Sequence, residues 1–171
     1  MASPEALTEE LIGEVRRHDL SDITITRDLL QRGADINGRS YERYGRTPLI
    51  LGAMEGGESV KIIVELLKHE NLDVNAIDEI GLTALIMACT FGKQEVVRIL
   101  LKDDRVDVNA ENKLGWTTFL ASALGQQEVV DMLLKDDRVD VNAKTNFGCT
   151  ALIWASRDGY SRSCPHVTEG Q

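Results

Sequence analysis

The eleven residues LLKDDRVDVNA occur twice in this chain, at 100–110 and again at 133–143, an offset of 33 residues. Exact self-similarity at such a period means that one supersecondary unit is laid down repeatedly, each copy burying its apolar face on the next. A single sheet or bundle has no reason to repeat a loop letter for letter. The repeat also directs the search for function. A stack of units offers one long surface, whereas an enzyme normally needs a converging pocket.

Gly45, Gly81, Gly115 and Gly148 mark one position in successive units, at spacings of 36, 34 and 33 residues. The stretches that follow read GRTPLILGA, GLTALIMAC, GWTTFLASA and GCTALIWAS. Thr47, Thr83, Thr117 and Thr150 stand where a helix N-cap belongs, and such a hydroxyl contributes about 1 kcal/mol. Pro48 suits a first helical position. The small residues Gly52, Ala53, Ala88, Cys89, Ser122, Ala123, Ala155 and Ser156 recur on one face and predict close helix approach. A second glycine (Gly56, Gly92, Gly125, Gly159) ends this helix. ESVKIIVELLK, KQEVVRILLK and QQEVVDMLLK then predict a second helix. In it Val96, Val97, Ile99, Leu100 and Leu101 form an apolar stripe, with Arg98 and Lys102 off it. The predicted fold class is all-α, a solenoid of helix–turn–helix–loop units without strands.

These units resemble ankyrin repeats. The resemblance rests on G-x-T-P-L at 45–49, G-x-T-A-L at 81–85 and 148–152, E-V-V-x-x-L-L at 95–101 and 128–134, and D-V-N-A at 73–76, 107–110 and 140–143. DLLQRGADING at 28–38 resembles the end of one further unit, with EALTEELIGEVRR as its first helix. The expected organisation is an ankyrin repeat domain over 1–160. It divides into an N-terminal capping unit at about 5–40, repeats at about 41–76, 77–110 and 111–143, and a half repeat at 144–160. Residues 161–171 are expected to be a disordered tail.

The chain departs from the family pattern in three ways. The histidine usual after T-P-L is replaced by Ile50, Ile86, Leu120 and Ile153, exchanging a side-chain bond for apolar packing. The Gly-Ala before D-x-N survives only at Gly33–Ala34; later units carry HENL or DDRV. A glycine C-cap is then missing, and aspartates beside a helix C-terminus are unfavourable. After Gly159 no second helix follows, and Pro165 interrupts what remains. This ending fits a truncated or spliced chain or a piece of a longer array. It also fits a tail that folds back, or an end that docks on a partner.

Composition narrows the function. The formal charge is −9, from 28 acidic and 19 basic side chains. Nucleic acid and anionic membrane surfaces, which call for clustered Lys and Arg, are not expected partners. No run approaches the roughly 20 apolar residues of a membrane span, and MASPEALTEELIGEV lacks the apolar core of a signal peptide. Cys89, Cys149 and Cys164 show no framework spacing, so reduced thiols in a cytoplasmic protein, with the nucleus as second location, are expected.

By analogy with the family, a partner protein is expected at the loop tips and the exposed ends of the first helices. Five of the eight aromatic side chains fall there: Tyr41, Tyr44, Phe91, Trp116 and Phe147. Exposed apolar clusters mark interaction sites, and Trp, Tyr and Arg dominate hot spots. The candidate contact residues are Tyr41, Arg43, Tyr44, Arg46, Ile80, Leu82, Phe91, Leu114, Trp116 and Phe147. For Ile80, Leu114 and Phe147 the alternative is packing against the next loop. The longer loop before Gly45 carries Arg39, Tyr41, Arg43, Tyr44 and Arg46, and reads either as a contact finger or as a solvated loop. Phe119 and Trp154 follow the core pattern. The uncapped C-terminal half repeat is a further expected place of association.

Other chemistry is poorly supported. DDRVDVN fails the calcium-loop spacing because Arg105 and Val106 occupy ligand positions. Its Asp and Asn are expected to brace the loop. Cys164-Pro165-His166 lacks a third orienting group for nucleophilic catalysis. No catalytic residue, metal or cofactor is expected. Some ankyrin-like proteins are hydroxylated on the Asn of D-V-N with a leucine eight residues earlier, a spacing met by Leu101/Asn109 and Leu134/Asn142. The function expected is a protein-binding adaptor or scaffold. The alternatives are an inhibitor that masks an enzyme or transcription factor, or the ankyrin part of a larger multidomain protein.

Overall fold

The structure, a computed structural model, describes residues 3–15, 23–40, 44–119, 126–151 and 153. Seven helices fall within them: α1 (Pro4–Val15), α2 (Thr24–Gln31), α3 (Pro48–Glu55), α4 (Ser59–Leu67), α5 (Ala84–Thr90), α6 (Gln94–Leu100) and α7 (Gln127–Leu133). Among the described residues β-structure is limited to one isolated bridge between Glu111 and Thr117. The tail at 161–171, Leu120 and Trp154 lie outside the described residues.

The threonines cap helices as their positions predict. Thr47 and Thr83 hold extended backbone and accept from the Ile50 and Ile86 N–H at 3.4 and 3.2 Å. Thr150 accepts from the Ile153 N–H at 3.4 Å. Pro48 fills the first turn of α3, where its missing N–H costs nothing. Ile50 and Ile86, standing where the family carries histidine, are fully buried.

Helices α1, α3 and α5 pack side by side as one layer, and α4, α6 and α7 as a second. One apolar core runs between the layers from Ile12 to Leu133. Leu49, Ile63, Leu66, Val96, Val97 and Leu100 are all but sealed from solvent, and each such side chain contributes about 1.5–3 kcal/mol. The small-residue face serves close approach. A methyl group at Gly52 would lie 3.1 Å from Ile63 Cγ1 and 3.4 Å from Val15 Cγ1, so α1, α3 and α4 converge over it.

Polar bonds then join unit to unit. In each D-x-N, the aspartate accepts from the Asn N–H two residues on, as at Asp73–Asn75 (3.1 Å) and Asp107–Asn109 (2.9 Å). The asparagine side chain reaches into the following unit. Asn37 Nδ2 donates to Asn71 O and its Oδ1 accepts from Asp73 N–H, both at 2.8 Å. Asn75 repeats this with Arg105 O and Asp107 N–H at 2.8 Å. Asn109 repeats it with Arg138 O and Asp140 N–H at 2.7 Å. At the first unit Thr8 Oγ1 of α1 takes the asparagine's role and accepts from Asp35 N–H at 2.8 Å.

The reading of DDRV as an unfavourable helix ending is corrected. Asp103 and Asp136 grip Arg105 and Arg138 in two-point ion pairs, with Nη2–Oδ2 distances of 2.7 Å. Each guanidinium holds its aspartate's pKa below the usual range, chiefly through the side-chain hydrogen bond. The held guanidinium turns its other N–H groups onto the preceding helix end. Arg105 donates to Leu67 O (2.8 Å) in the last turn of α4 and to His69 O (3.0 Å) just beyond it, and Arg138 to Leu101 O (2.7 Å) beyond α6. A cation on these carbonyls opposes the helix dipole, so the motif replaces the glycine cap with a charged cap from the next unit.

On the outer face, Glu65 of α4 is buried and holds Arg27 of α2 by two bonds of 2.8 and 2.9 Å and Lys68 by one of 2.8 Å. Hydrogen bonds from Arg27 and then Lys68 lower its pKa from 4.5 to about 2.

Candidate functional site

Between units the chain folds back as a narrow finger. Three residues before the glycine a short polar side chain shapes the tip by accepting from the N–H groups two and four residues ahead. Asp78 Oδ1 accepts from Ile80 and Leu82 at 3.0 and 2.9 Å. Asn112 Oδ1 accepts from Leu114 and Trp116 at 2.9 and 3.0 Å. Thr145 Oγ1 accepts from Phe147 and Cys149 at 3.3 and 3.2 Å. Backbone bonds Asp78 N–H to Leu82 O, Asn112 N–H to Trp116 O and Thr145 N–H to Cys149 O close the fingers.

Neighbouring fingers are tied together. Glu79 N–H donates to Tyr44 O at 2.8 Å and Asn146 N–H to Leu114 O at 3.1 Å. Asn146 Nδ2 donates to Lys113 O at 3.0 Å, and Lys113 Nζ donates to Glu79 O. Gly115 shows why glycine recurs at the tip. Its φ is +75°, and a methyl group there would sit 2.7 Å from Asn146 N.

This geometry leaves the residue before each glycine outside. Tyr44 is 60% exposed, Ile80 48%, Leu114 52% and Phe147 50%. Four large apolar side chains thus stand outside, one per finger, on fingers that are each tied to a neighbouring one. Phe91, which caps the end of α5, is exposed as well. Packing of Ile80, Leu114 and Phe147 against the next loop is only half realised. Leu82 and Trp116 are half-buried, Leu82 against the core, and Phe119 packs against the core as its pattern predicts.

The first finger differs from expectation in where its charges go. Arg46 is largely covered, with Nε 3.2 Å from Oδ2 of the buried Asp78. Its guanidinium lies 5.3 Å from the centre of the Tyr44 ring. Arg39 Nη1 donates to Gly45 O and to Ile77 O of the second finger. These cations join finger to finger, and what the first finger exposes is the Tyr44 ring. Tyr44 holds φ at +57°, in the left-handed region that non-glycine residues rarely occupy. Tyr41 and Arg43 lie outside the described residues.

Asn109 has both amide atoms engaged, whereas the Asn142 amide makes no bond among the described residues. Cys89 is buried and free, and burial raises its pKa far above the ordinary thiol value. Cys149 is buried, at 2% exposure. Among the described residues no three His, Cys, Asp or Glu side chains converge as a metal site. No described helix is long and apolar enough to cross a membrane.

Sequence reasoning missed the charged helix caps, the Thr8 bond, the Arg46–Asp78 pair and the reach of each D-x-N asparagine into the next unit, where it was expected only to brace its own loop. A signal for the caps was present, since both exact copies keep an arginine two residues after an aspartate, at 103–105 and 136–138.

Family comparison agrees with the geometry. A model of ankyrin repeats, three copies long, matches residues 17–112, and a single ankyrin repeat model matches 115–146. The human transient receptor potential cation channel subfamily A member 1 is 38% identical over 73 residues, which is 43% of this chain and 6% of the channel. The chain therefore spans a small part of that relative's length. With stacked helix pairs, threonine-capped helices and matching repeats over most of its length, the chain belongs to the ankyrin repeat family.

Proposed function

We propose that this protein is a protein-binding adaptor whose partner lies along the row formed by Tyr44, Ile80, Leu114 and Phe147, with Phe91 beside it. The observation that carries the reading is the combination of about half or greater exposure with a hydrogen-bonded backbone around these positions. Large apolar side chains held in solvent by a rigid frame lose little entropy on binding, so burying them on a partner is efficient. Tyr44 is the expected anchor. Its ring is the most exposed of the row, it is backed by Arg46, and its left-handed backbone is strained of the kind found at functional positions.

Affinity capture with the full chain tests this. An Ile80→Ser, Leu114→Ser, Phe147→Ser variant is expected to lose its captured proteins, while a Val64→Ser variant, altering an exposed apolar residue of α4, keeps them. Urea unfolding of each variant checks that the fold survives. Equal capture by both variants refutes the assignment. Assaying the captured partner's activity with and without the chain separates an adaptor from an inhibitor.

A further inference from the structure

The outer helices pack directly from α4 to α6 and from α6 to α7, whereas α2 and α4 meet less closely. A cleft of about 440 Å³ lies there, lined by Arg27, Leu30, Gln31, Glu65 and His69. Its volume is within the range of ligand sites. The side chain that spans the gap breaks the pattern of the repeat. Glu65 immediately precedes the Leu-Leu pair of its helix, and the later units carry Ile99 and Met132 at that place, both packed against the core. A carboxylate thus replaces an apolar side chain in the seam. It is 10% exposed, and with Arg27 it forms the one ion pair between two helices among the described residues. Burying a carboxylate costs free energy that a hydrocarbon would not, and departures of this kind concentrate at functional positions.

Glu65 orients two cations. Its Oε1 accepts from Arg27 Nε, and its Oε2 accepts from Arg27 Nη2 and from Lys68 Nζ. The plane of the guanidinium is thereby fixed. Its outer edge, Nη1 with the second N–H of Nη2, makes no bond among the described residues. Arg27 and Lys68 are each about half exposed, and Leu30 gives the cleft an apolar wall. We propose that this cleft binds an acidic segment of a partner protein, seating a glutamate or aspartate carboxylate on the outer edge of Arg27 and a neighbouring apolar side chain on Leu30. A guanidinium edge matches a carboxylate through two parallel bonds, and a supporting carboxylate that sets its direction beforehand favours recognition. A cationic occupant fits less well, because Glu65 already receives three bonds and two cations stand beside it. No residue of the cleft belongs to the fingers, so this reading and the finger reading fail independently.

The test titrates the full chain against a short labelled peptide of alternating glutamate and leucine, read by fluorescence anisotropy. The chain's formal charge of −9 repels an acidic peptide in general, so saturable binding reports a local site. Such binding is expected, weakened about tenfold when glutamine replaces glutamate in the peptide. The double variant Arg27→Met, Glu65→Met removes the site and leaves two apolar side chains in the seam. Its urea midpoint is expected to equal or exceed the parent's, and its binding to be lost. Arg27→Lys keeps the charge without the fork and is expected to bind several-fold more weakly. Arg98→Ala, on α6, is expected to bind as the parent does. The proposal is overturned by absence of saturable binding, by equal binding of the glutamine peptide, or by undiminished binding to the folded double variant. Tighter binding of a lysine version of the peptide also overturns it, and makes Glu65 the receptor of a cation. A phosphoserine version that binds where the glutamate peptide does not overturns the choice of a carboxylate.

Discussion

Asn109 and Asn142 end the two identical eleven-residue segments, so replacing each by alanine changes the same residue in the same local sequence. The structure assigns the two substitutions different costs. Asn109→Ala removes two bonds of 2.7 Å and leaves Arg138 O and Asp140 N–H to find water. A hydrogen bond contributes about 0.5–1.5 kcal/mol net. Because Asn109 is exposed, water recovers part of the loss. The expected destabilisation is about 1–2 kcal/mol, or roughly 2–8 °C in Tm for a chain of this size. Asn142→Ala removes no side-chain bond among the described residues, and its effect should stay within about 0.5 kcal/mol. Urea unfolding followed by circular dichroism reads both, with the slope unchanged if only stability moves. Equal losses for the two variants would refute the inter-unit ladder and return the asparagines to bracing their own loops.

Three further outcomes follow from the same contacts. Arg105→Ala removes the cap on Leu67 O and His69 O and leaves Asp103 without its cation; a loss of about 1–2 kcal/mol in urea is expected, and Arg105→Lys, with one donor head instead of a fork, recovers only part of it. The Glu65 pKa is lowered to about 2, so its contribution is complete above the ordinary carboxylate range and is lost as pH falls from about 4.5 towards 2; thermal melts across that window should flatten in Glu65→Gln relative to the parent. Gly115→Ala forces a side chain into φ +75° and against Asn146 N, and about 2 kcal/mol of lost stability is expected; calorimetry that finds it neutral would show that the fingers are not packed backbone to backbone.

The helix pairs were legible because their causes are local. A threonine before an apolar run, a proline in the first turn and an apolar stripe at helical spacing act within a few residues, and Thr47, Thr83 and Thr150 cap as their positions predict. The finger tips were legible as places, since glycine and short polar residues mark them. Which side chains a tip shows to solvent was not. Arg46 and Tyr44 are two residues apart and read alike as contact residues, yet one is held by the buried Asp78 of the next finger and the other stands outside. Nothing near either residue carries that difference, because it depends on a carboxylate 32 positions away.

The repeated LLKDDRVDVNA marks the same division. By itself the sequence determined that the chain repeats, that Thr47, Thr83 and Thr150 start helices, and that the units belong to one family. Those properties depend on residues within a single unit. Only the tertiary structure decided that Asp-x-Arg is a cap for the preceding helix, and that Asn109 is a rung while the Asn142 side chain meets no partner among the described residues. The two copies are identical in covalent structure but not in neighbours. The arginine's cap and the asparagine's clasp both join one unit to the next.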